Sequence, residues 1–406
     1  MIGCNNMELL SLERRKKEWQ SFLAKGWPSK KLESWKYTSL KPLAESGFNF
    51  VSEDSLQPSH ELLKKAKSHL MDNANALVFI DGLYNPTLSQ GEDFHLKFVA
   101  DEEASSLSPG SVDQLNFAAA KMKVVVEIHP HKNLNKPIHV LSLASQSKTA
   151  AAIRLEFHVA VGAQVSIVEE FLSTAVSAHS GYTKIVAAPG TQINYLRLQD
   201  DNEESYHLGK TDFQINGPSQ VHSLTVHLGS RVARHELTVD INSAEAEVQV
   251  LGATVARGQQ HIDNFTAIHH NVGGSTSQQL YKGILDGESK SIFRGLVRIE
   301  KQAQKAQSDQ LNNNLLLSEK AEADSLPQLE IFADDVKATH GSTVGELNEE
   351  EIFYFQSRAI AKDKAIALLS AGFVQEVVFK LSDAALREWA QRRINEKLQS
   401  VKGLQV

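Results

Sequence analysis

Between Val124 and Glu330 apolar and polar residues alternate with a period of two, and no segment of helical period interrupts them. Successive side chains of a strand point to opposite faces, so sustained alternation of this kind means strands with one face buried. The clearest run is Ile153, Leu155, Phe157, Val159 and Val161, with Arg154, Glu156, His158 and Ala160 between them. Leu237, Val239 and Ile241 repeat it, as do Val248 with Val250 and Val297 with Ile299. Gly162, Pro189-Gly190, Gly217-Pro218, Gly252, Gly273-Gly274 and Gly287 mark turns between the runs. Many short strands without crossover helices form a sandwich, a barrel or a solenoid. The stretch is too long for one ordinary barrel, whereas a solenoid lengthens its core by adding coils. A parallel β-helix is therefore favoured, although no fixed repeat length stands out.

The flanks read as helix. Met7–Lys25 is amphipathic, with Leu9, Leu12, Trp19, Phe22 and Leu23 near helical spacing and Gly26 as the stop. Further helices are expected over Ser59–Asn73 and Ser111–Lys121, and Asp81-Gly82 within VFIDGLYNP signals a hairpin turn. Between the first two helices, Trp35 and Tyr37 beside Lys30, Lys31 and Lys36 are read as packing aromatics with solvated lysines. At the other end Asn348, with Glu351 three residues on, starts a helix carrying Ile352, Phe353, Phe355 and Ile360. Ala365–Phe379 and a helix with Leu386, Trp389, Ile394 and Leu398 follow. Helices this apolar must pack on the end of the solenoid or on another protein. The organisation is then 1–121, helical with short strands; 122–347, the β core; and 348–406, helical.

Composition narrows the function. The net charge is -7 without a basic tract, which argues against nucleic acid, whose binders carry a basic footprint. Cys4 is the only cysteine, so neither an intrachain disulfide nor a thiolate metal cluster can form. No apolar stretch is long enough for a membrane helix and no secretory signal is visible, so a reducing cytoplasm is the expected location.

The common catalytic motifs are missing too. NVGGSTS at 271–277 lacks the lysine of a phosphate-binding loop, and neither G-x-S-x-G nor H-E-x-x-H occurs. The sixteen histidines include three close groups, namely His129 with His131, His222 with His227, and His269 with His270. On strands only the first of these could converge, and without acidic or thiolate neighbours the reading is solvated strand faces. His340 lies in VKATHGSTVGEL, a glycine-flanked polar segment just before the capped helix.

Two segments carry a resemblance. WPSKKLESWKYT, with Pro28, Glu33, Trp35, Lys36, Tyr37 and Thr38, resembles an N-terminal pattern of the SufB/SufD family. KATHGSTVGELNEEEIFYFQSRAI, from Lys337 to Ile360, resembles that family's C-terminal K-C-S-H-G-A-T-V-G pattern and the helix after it. With VFIDGLYNP these landmarks span nearly the whole chain. The resemblance implies a mainly β protein, a right-handed parallel β-helix flanked by N-terminal and C-terminal helical regions. It further implies a non-catalytic scaffold subunit of the Suf iron-sulfur cluster assembly complex, paired with SufB or with itself when SufB is absent. The C-terminal region, at Phe353, Phe355, Arg358 and Ile360, would dock the SufC ATPase. A transient cluster would form at the SufB–SufD interface with His340 as a ligand, and the isolated chain would hold no cofactor.

One departure is informative. Ala338 and Thr339 stand where many relatives have cysteine and serine, which sides with the SufD branch, since the cysteine chemistry expected of SufB has no residue here. Gln356 and Ala359 also depart, the latter from a usual glycine. A carbohydrate-active β-helix would show clustered acids on one strand face and a secretion signal, and neither is seen. A purely structural interaction protein would differ from the scaffold reading only at His340. A truncation after Leu347 is expected to leave the β core folded. The lone cysteine predicts that the purified chain, reconstituted anaerobically with iron and sulfide, retains no cluster after desalting. A stoichiometric cluster that persists in Cys4→Ala would contradict this.

Overall fold

The computed structural model describes residues 9–52, 58–99 and 111–399. The N-terminal region holds α1 (Leu12–Lys25), α2 (Lys41–Glu45), α3 (His60–Ser68), strands β1 (Asn75–Ile80), β2 (Leu83–Tyr84) and β3 (Phe94–Val99), and α4 (Val112–Ala119). Side-chain caps set the starts of three of these helices: Ser11 accepts from Arg14 N, Ser59 from Leu62 N and Ser111 from Gln114 N. Gly26, at φ 81°, ends α1. α3 stops at Ser68, short of the Asn73 end that its sequence suggests, and Asn73 at φ 58° turns the chain into β1. Asp81 and Gly82 both have positive φ, which gives the primed turn that an Asp-Gly hairpin favours.

Sixteen strands follow without a helix between them. They are β4 (Lys123–Ile128), β5 (Ile138–Ala144), β6 (Ala150–Val159), β7 (Gln164–Ser173), β8 (Ala178–Ala187), β9 (Gln192–Asp200), β10 (Tyr206–Ile215) and β11 (Gln220–His227), then β12 (Val232–Ile241), β13 (Glu247–Ala256), β14 (His261–His270), β15 (Thr276–Leu285), β16 (Lys290–Ile299), β17 (Gln307–Leu316), β18 (Glu322–Ile331) and β19 (Lys337–Gly345). Each strand from β4 to β17 pairs in parallel with the strand two places on. The result is a parallel β-solenoid of about eight turns, closed from a ten-stranded and a nine-stranded sheet. One coil spans 26 residues from Tyr206 to Val232 but 32 from Lys290 to Glu322. Loops absorb the difference while the strands stay in register.

Inward-facing rows of the two sheets meet in the core, where Phe157, Ile167, Ile185, Ile193, Phe213, Val239 and Val248 are buried. Because a strand covers only one face, each outer face needs its own cover. On the nine-stranded sheet α1, α4 and the Trp35 segment supply it, packing Phe22, Trp35, Leu40 and Leu115 on Ala152, Ala178 and Leu208. The WKYT element is thus a strap. The Arg234 guanidinium lies 4.0 Å over the Trp35 ring, and Thr38 Oγ1 donates to Asp263 Oδ2 at 2.5 Å. Lys30, Lys31 and Lys36 remain exposed, as the sequence reading has it.

The outer face of the ten-stranded sheet is covered by the last two of the three C-terminal helices, α5 (Glu349–Gln356), α6 (Lys362–Phe379) and α7 (Ala384–Leu398). Val374, Val377, Leu386 and Ile394 pack against Leu196, Leu198, Leu224, Val226 and Leu251. Trp389 Nε1 donates to the buried Glu170 Oε2 at 3.2 Å, and Arg393 Nε lies 3.0 Å from Glu170 Oε1. The helices therefore pack along the flank of the solenoid rather than across its end. No helix among the described residues is long and apolar enough to cross a membrane.

This packing reverses one expectation. A truncation after Leu347 removes α6 and α7 and exposes the leucine-rich outer face, and a contiguous apolar patch of that kind drives aggregation. The truncated chain is predicted to bind a hydrophobic dye strongly and to unfold at markedly lower urea than the full chain. Equal urea midpoints would show that the helices do not stabilise the solenoid.

Candidate functional site

The solenoid ends in an uncovered coil. β19 is the edge of the ten-stranded sheet and β18 the edge of the nine-stranded one, and neither has a further neighbour among the described residues. Unpaired edge strands present rows of free N–H and C=O groups to another chain. Apolar side chains surround these edges: Phe332 is 53% exposed, Val344 49%, Ile331 41% and Leu311 40%. His340 sits on β19 in register with Gln310 on β17, which places it in the inward-facing row at the open mouth, exposed.

The other sequence candidates cluster beside this end. Asn348 caps α5 by accepting from Glu350 N at 2.8 Å. Of the α5 aromatics, Phe353 is 70% exposed and Tyr354 55%, whereas Ile352 is buried and Phe355 half-buried. Arg358 is exposed with its guanidinium 4.6 Å over the Tyr354 ring, and Ile360 is half-buried. Ala359 takes φ 63°, a left-handed conformation that suits glycine and costs an L-residue about 1–2 kcal/mol. Cys4 lies outside the described residues.

The histidine groups follow the reading of solvated strand faces only in part, since His131 is exposed and His129, His222 and His269 are half-buried, whereas His227 and His270 are buried. His131 follows β4 in a turn at φ 56°, and the His129 ring packs edge-on against His95 at 4.6 Å, so the pair forms no site. His222 and His227 lie on opposite faces of β11, the first half-buried outside and the second buried inside. His269 pairs with Asp240 at 2.8 Å, whereas buried His270 bonds Ser275 and Ser277.

A group that the sequence reading did not find lies inside the solenoid. His179, Asp201 and His207 are buried and could in principle hold a metal ion. Their hydrogen bonds decide otherwise. Arg197 Nη2 can only donate, and it lies 2.6 Å from His207 Nε2, so that nitrogen is the acceptor and Nδ1 carries the proton. The His207 and His179 Nδ1 atoms lie 2.7 and 2.8 Å from the two Asp201 oxygens, while His179 Nε2 meets Ser142 Oγ at 2.7 Å. A cation would face N–H groups and a guanidinium. Burial alone would raise the Asp201 carboxyl, but charge and hydrogen bonds from His179 and His207 hold it well below the usual range. Burial, then the nearby Arg197 charge, pushes His207 and His227 down to about 3. Phe171 stacks 4.4 Å from the guanidinium; Gly209 leaves the space that Arg197 fills, and Gly181 the space of the Phe171 ring. The signal for this group was the spacing of one coil between His179 and His207, visible only once the register is known.

The described residues thus form a stacked parallel scaffold with a strongly polar interior and an uncovered final coil. The chain belongs to the SufBD family: residues 142–373 match the family model described as SUF system FeS cluster assembly, SufBD core domain. It is 29% identical to the iron-sulfur cluster assembly protein SufD of Escherichia coli over 93% of this chain and 91% of that one. An iron-sulfur cluster assembly SufBD family protein of Synechocystis is 28% identical over 89% of this chain and 85% of its own. A chloroplastic Arabidopsis thaliana protein is 25% identical over 92% and 83%.

The buried neutral histidines predict acid lability. With folded values below the unfolded one, each contributes stability that is complete above about pH 6.5 and is lost as pH falls toward 3. The slope is about 1.4 kcal/mol per pH unit for each histidine in that window. His227→Gln is predicted to flatten the decline of the urea-derived stability between pH 6.5 and 4.5 by about one proton. An unchanged slope would mean that His227 is protonated in the folded state.

Proposed function

We propose that this chain is a non-catalytic scaffold subunit for iron-sulfur cluster assembly in the cytoplasm, of the SufD type. It pairs through its final coil with a SufB-type chain, or with a second copy of itself when none is present. The observation that carries the reading is the pair of open edges, β18 and β19, with His340 in the inward-facing row between them and the partner. Stacking a partner coil there would continue both hydrogen-bonded sheets and cover Phe332, Ile331 and Val344. A nascent cluster is held transiently at that junction. His340 gives it one imidazole nitrogen, a good borderline ligand for iron, and the partner supplies a thiolate, which β19 does not carry.

The SufC ATPase docks on α5 through Phe353, Phe355, Arg358 and Ile360. Support comes from the exposure of Phe353 and Tyr354 on a capped helix held beside the open coil. Aromatic anchors dominate such interfaces, so Phe353→Ala is expected to weaken SufC binding by about 2 kcal/mol.

Co-expression with SufB-type and SufC-type partners, followed by purification and anaerobic reconstitution, tests the reading. The His340→Ala complex is predicted to assemble with a similar melting temperature but to form cluster at least about 10-fold more slowly. Cluster formation at the normal rate would remove His340 from the site. Failure of the variant to assemble would make it a structural residue.

A further inference from the structure

Behind His340 the core of the solenoid changes character. The row that holds Ile167 and Tyr195 in earlier coils continues through Ser223 and Val250 to Gln279, Gln310 and finally His340. Gln279 and Gln310 are 3% and 2% exposed, so two amides occupy positions that an ordinary solenoid core fills with aliphatic side chains. Room was made for one of them, because a Cβ at Gly295 on the facing sheet would collide with Gln310 Nε2.

These amides form a chain with a direction. The Arg294 carbonyl can only accept, and Thr266 Oγ1 donates to it at 3.5 Å. Gln279 Nε2 then donates to Thr266 Oγ1 at 2.6 Å, and Gln310 Nε2 donates to Gln279 Oε1 at 2.6 Å. Each amide in the relay donates one N–H to the coil behind. Gln310 Oε1 is left as a buried acceptor with no partner. A buried carbonyl without a partner is costly, so a donor above it is favoured. The residue in register above it is His340.

We infer that Gln310 is a positioning residue for His340: when a partner coil covers the final coil, Gln310 Oε1 accepts the imidazole N–H and fixes which ring nitrogen presents its lone pair to the junction. A neutral imidazole has one N–H, so committing it inward leaves the other nitrogen unprotonated and facing the partner. Ligating histidines generally owe their tautomer and orientation to such an acceptor. This inference rests on the proposed role of His340 at the pairing junction.

The test uses the full complex with only this chain's histidines labelled with nitrogen-15, the His340 ring being identified by its loss in His340→Gln. In the native complex the two ring nitrogens are expected to show one tautomer in at least about tenfold excess, and Gln310→Leu should bring the ratio back toward that of free imidazole. Gln310→Glu, which keeps an acceptor, should restore it. Cluster formation by the Gln310→Leu complex is expected to fall about 10- to 100-fold while the complex stays intact. If the complex forms and Gln310→Leu leaves the tautomer ratio unchanged, the inference is overturned and the pairing reading stands. If no complex forms, the pairing reading fails and takes the inference with it. If Gln310→Leu itself does not fold, a Gln310→Glu complex without the native tautomer bias overturns the inference.

Discussion

Parallel backbone hydrogen bonds between successive coils hold everything else in place. A single coil has two short strands and cannot bury its own apolar face, so it is stable only against the coils before and after it. Each ladder of N–H and C=O groups is complete when another coil lies on it, and among the described residues the last coil lacks that neighbour. The bare edge at β18 and β19 is therefore a direct consequence of the architecture rather than a local peculiarity. Covering a flank with helices, as α6 and α7 do, protects the sheet face but leaves the end open.

Register also explains why so polar an interior is tolerated. When residues stack at a fixed interval, a buried group has a neighbour of defined identity above and below it. Asp201 receives hydrogen bonds from two histidines, Glu169 from Thr183 and Tyr195, and Arg197 rests on Phe171 over Gly209. A buried charge is costly unless it is hydrogen-bonded, and breaking one partner leaves the other stranded. Such networks penalise a slip of one coil against the next, since a shifted strand would bring Arg197 against a bulkier residue than glycine. The amides behind His340 extend the same logic to the open end.

Much of this was legible in the sequence, and the limits have physical causes. Period-two alternation marked the strands from Val124 onward, and Ser59, Ser111 and Asn348 marked helix starts, because both signals are local. The repeat length was hidden because coils differ from 26 to 32 residues. Without the repeat, the one-coil spacing of His179 and His207, and the column ending in Gln310 and His340, could not be assembled. His227 and His270 were misjudged as solvated because an inward polar residue in a strand looks the same as an outward one until the faces are assigned. The C-terminal helices announced that they needed an apolar partner, but only tertiary structure shows that α6 and α7 found it on the flank, while Phe353 on α5 did not.

The open coil is the proposed place where a second SufB/SufD-type chain adds on. Backbone hydrogen exchange, followed by mass spectrometry on the full chain with and without a SufB-type partner, tests this placement most directly. The outward-pointing amides of Glu322–Ile331 and Lys337–Gly345 are predicted to exchange fast in the free chain and to become strongly protected in the complex, with the β4–β15 strands unchanged. Protection elsewhere, with these two strands still exchanging freely in a formed complex, would contradict it.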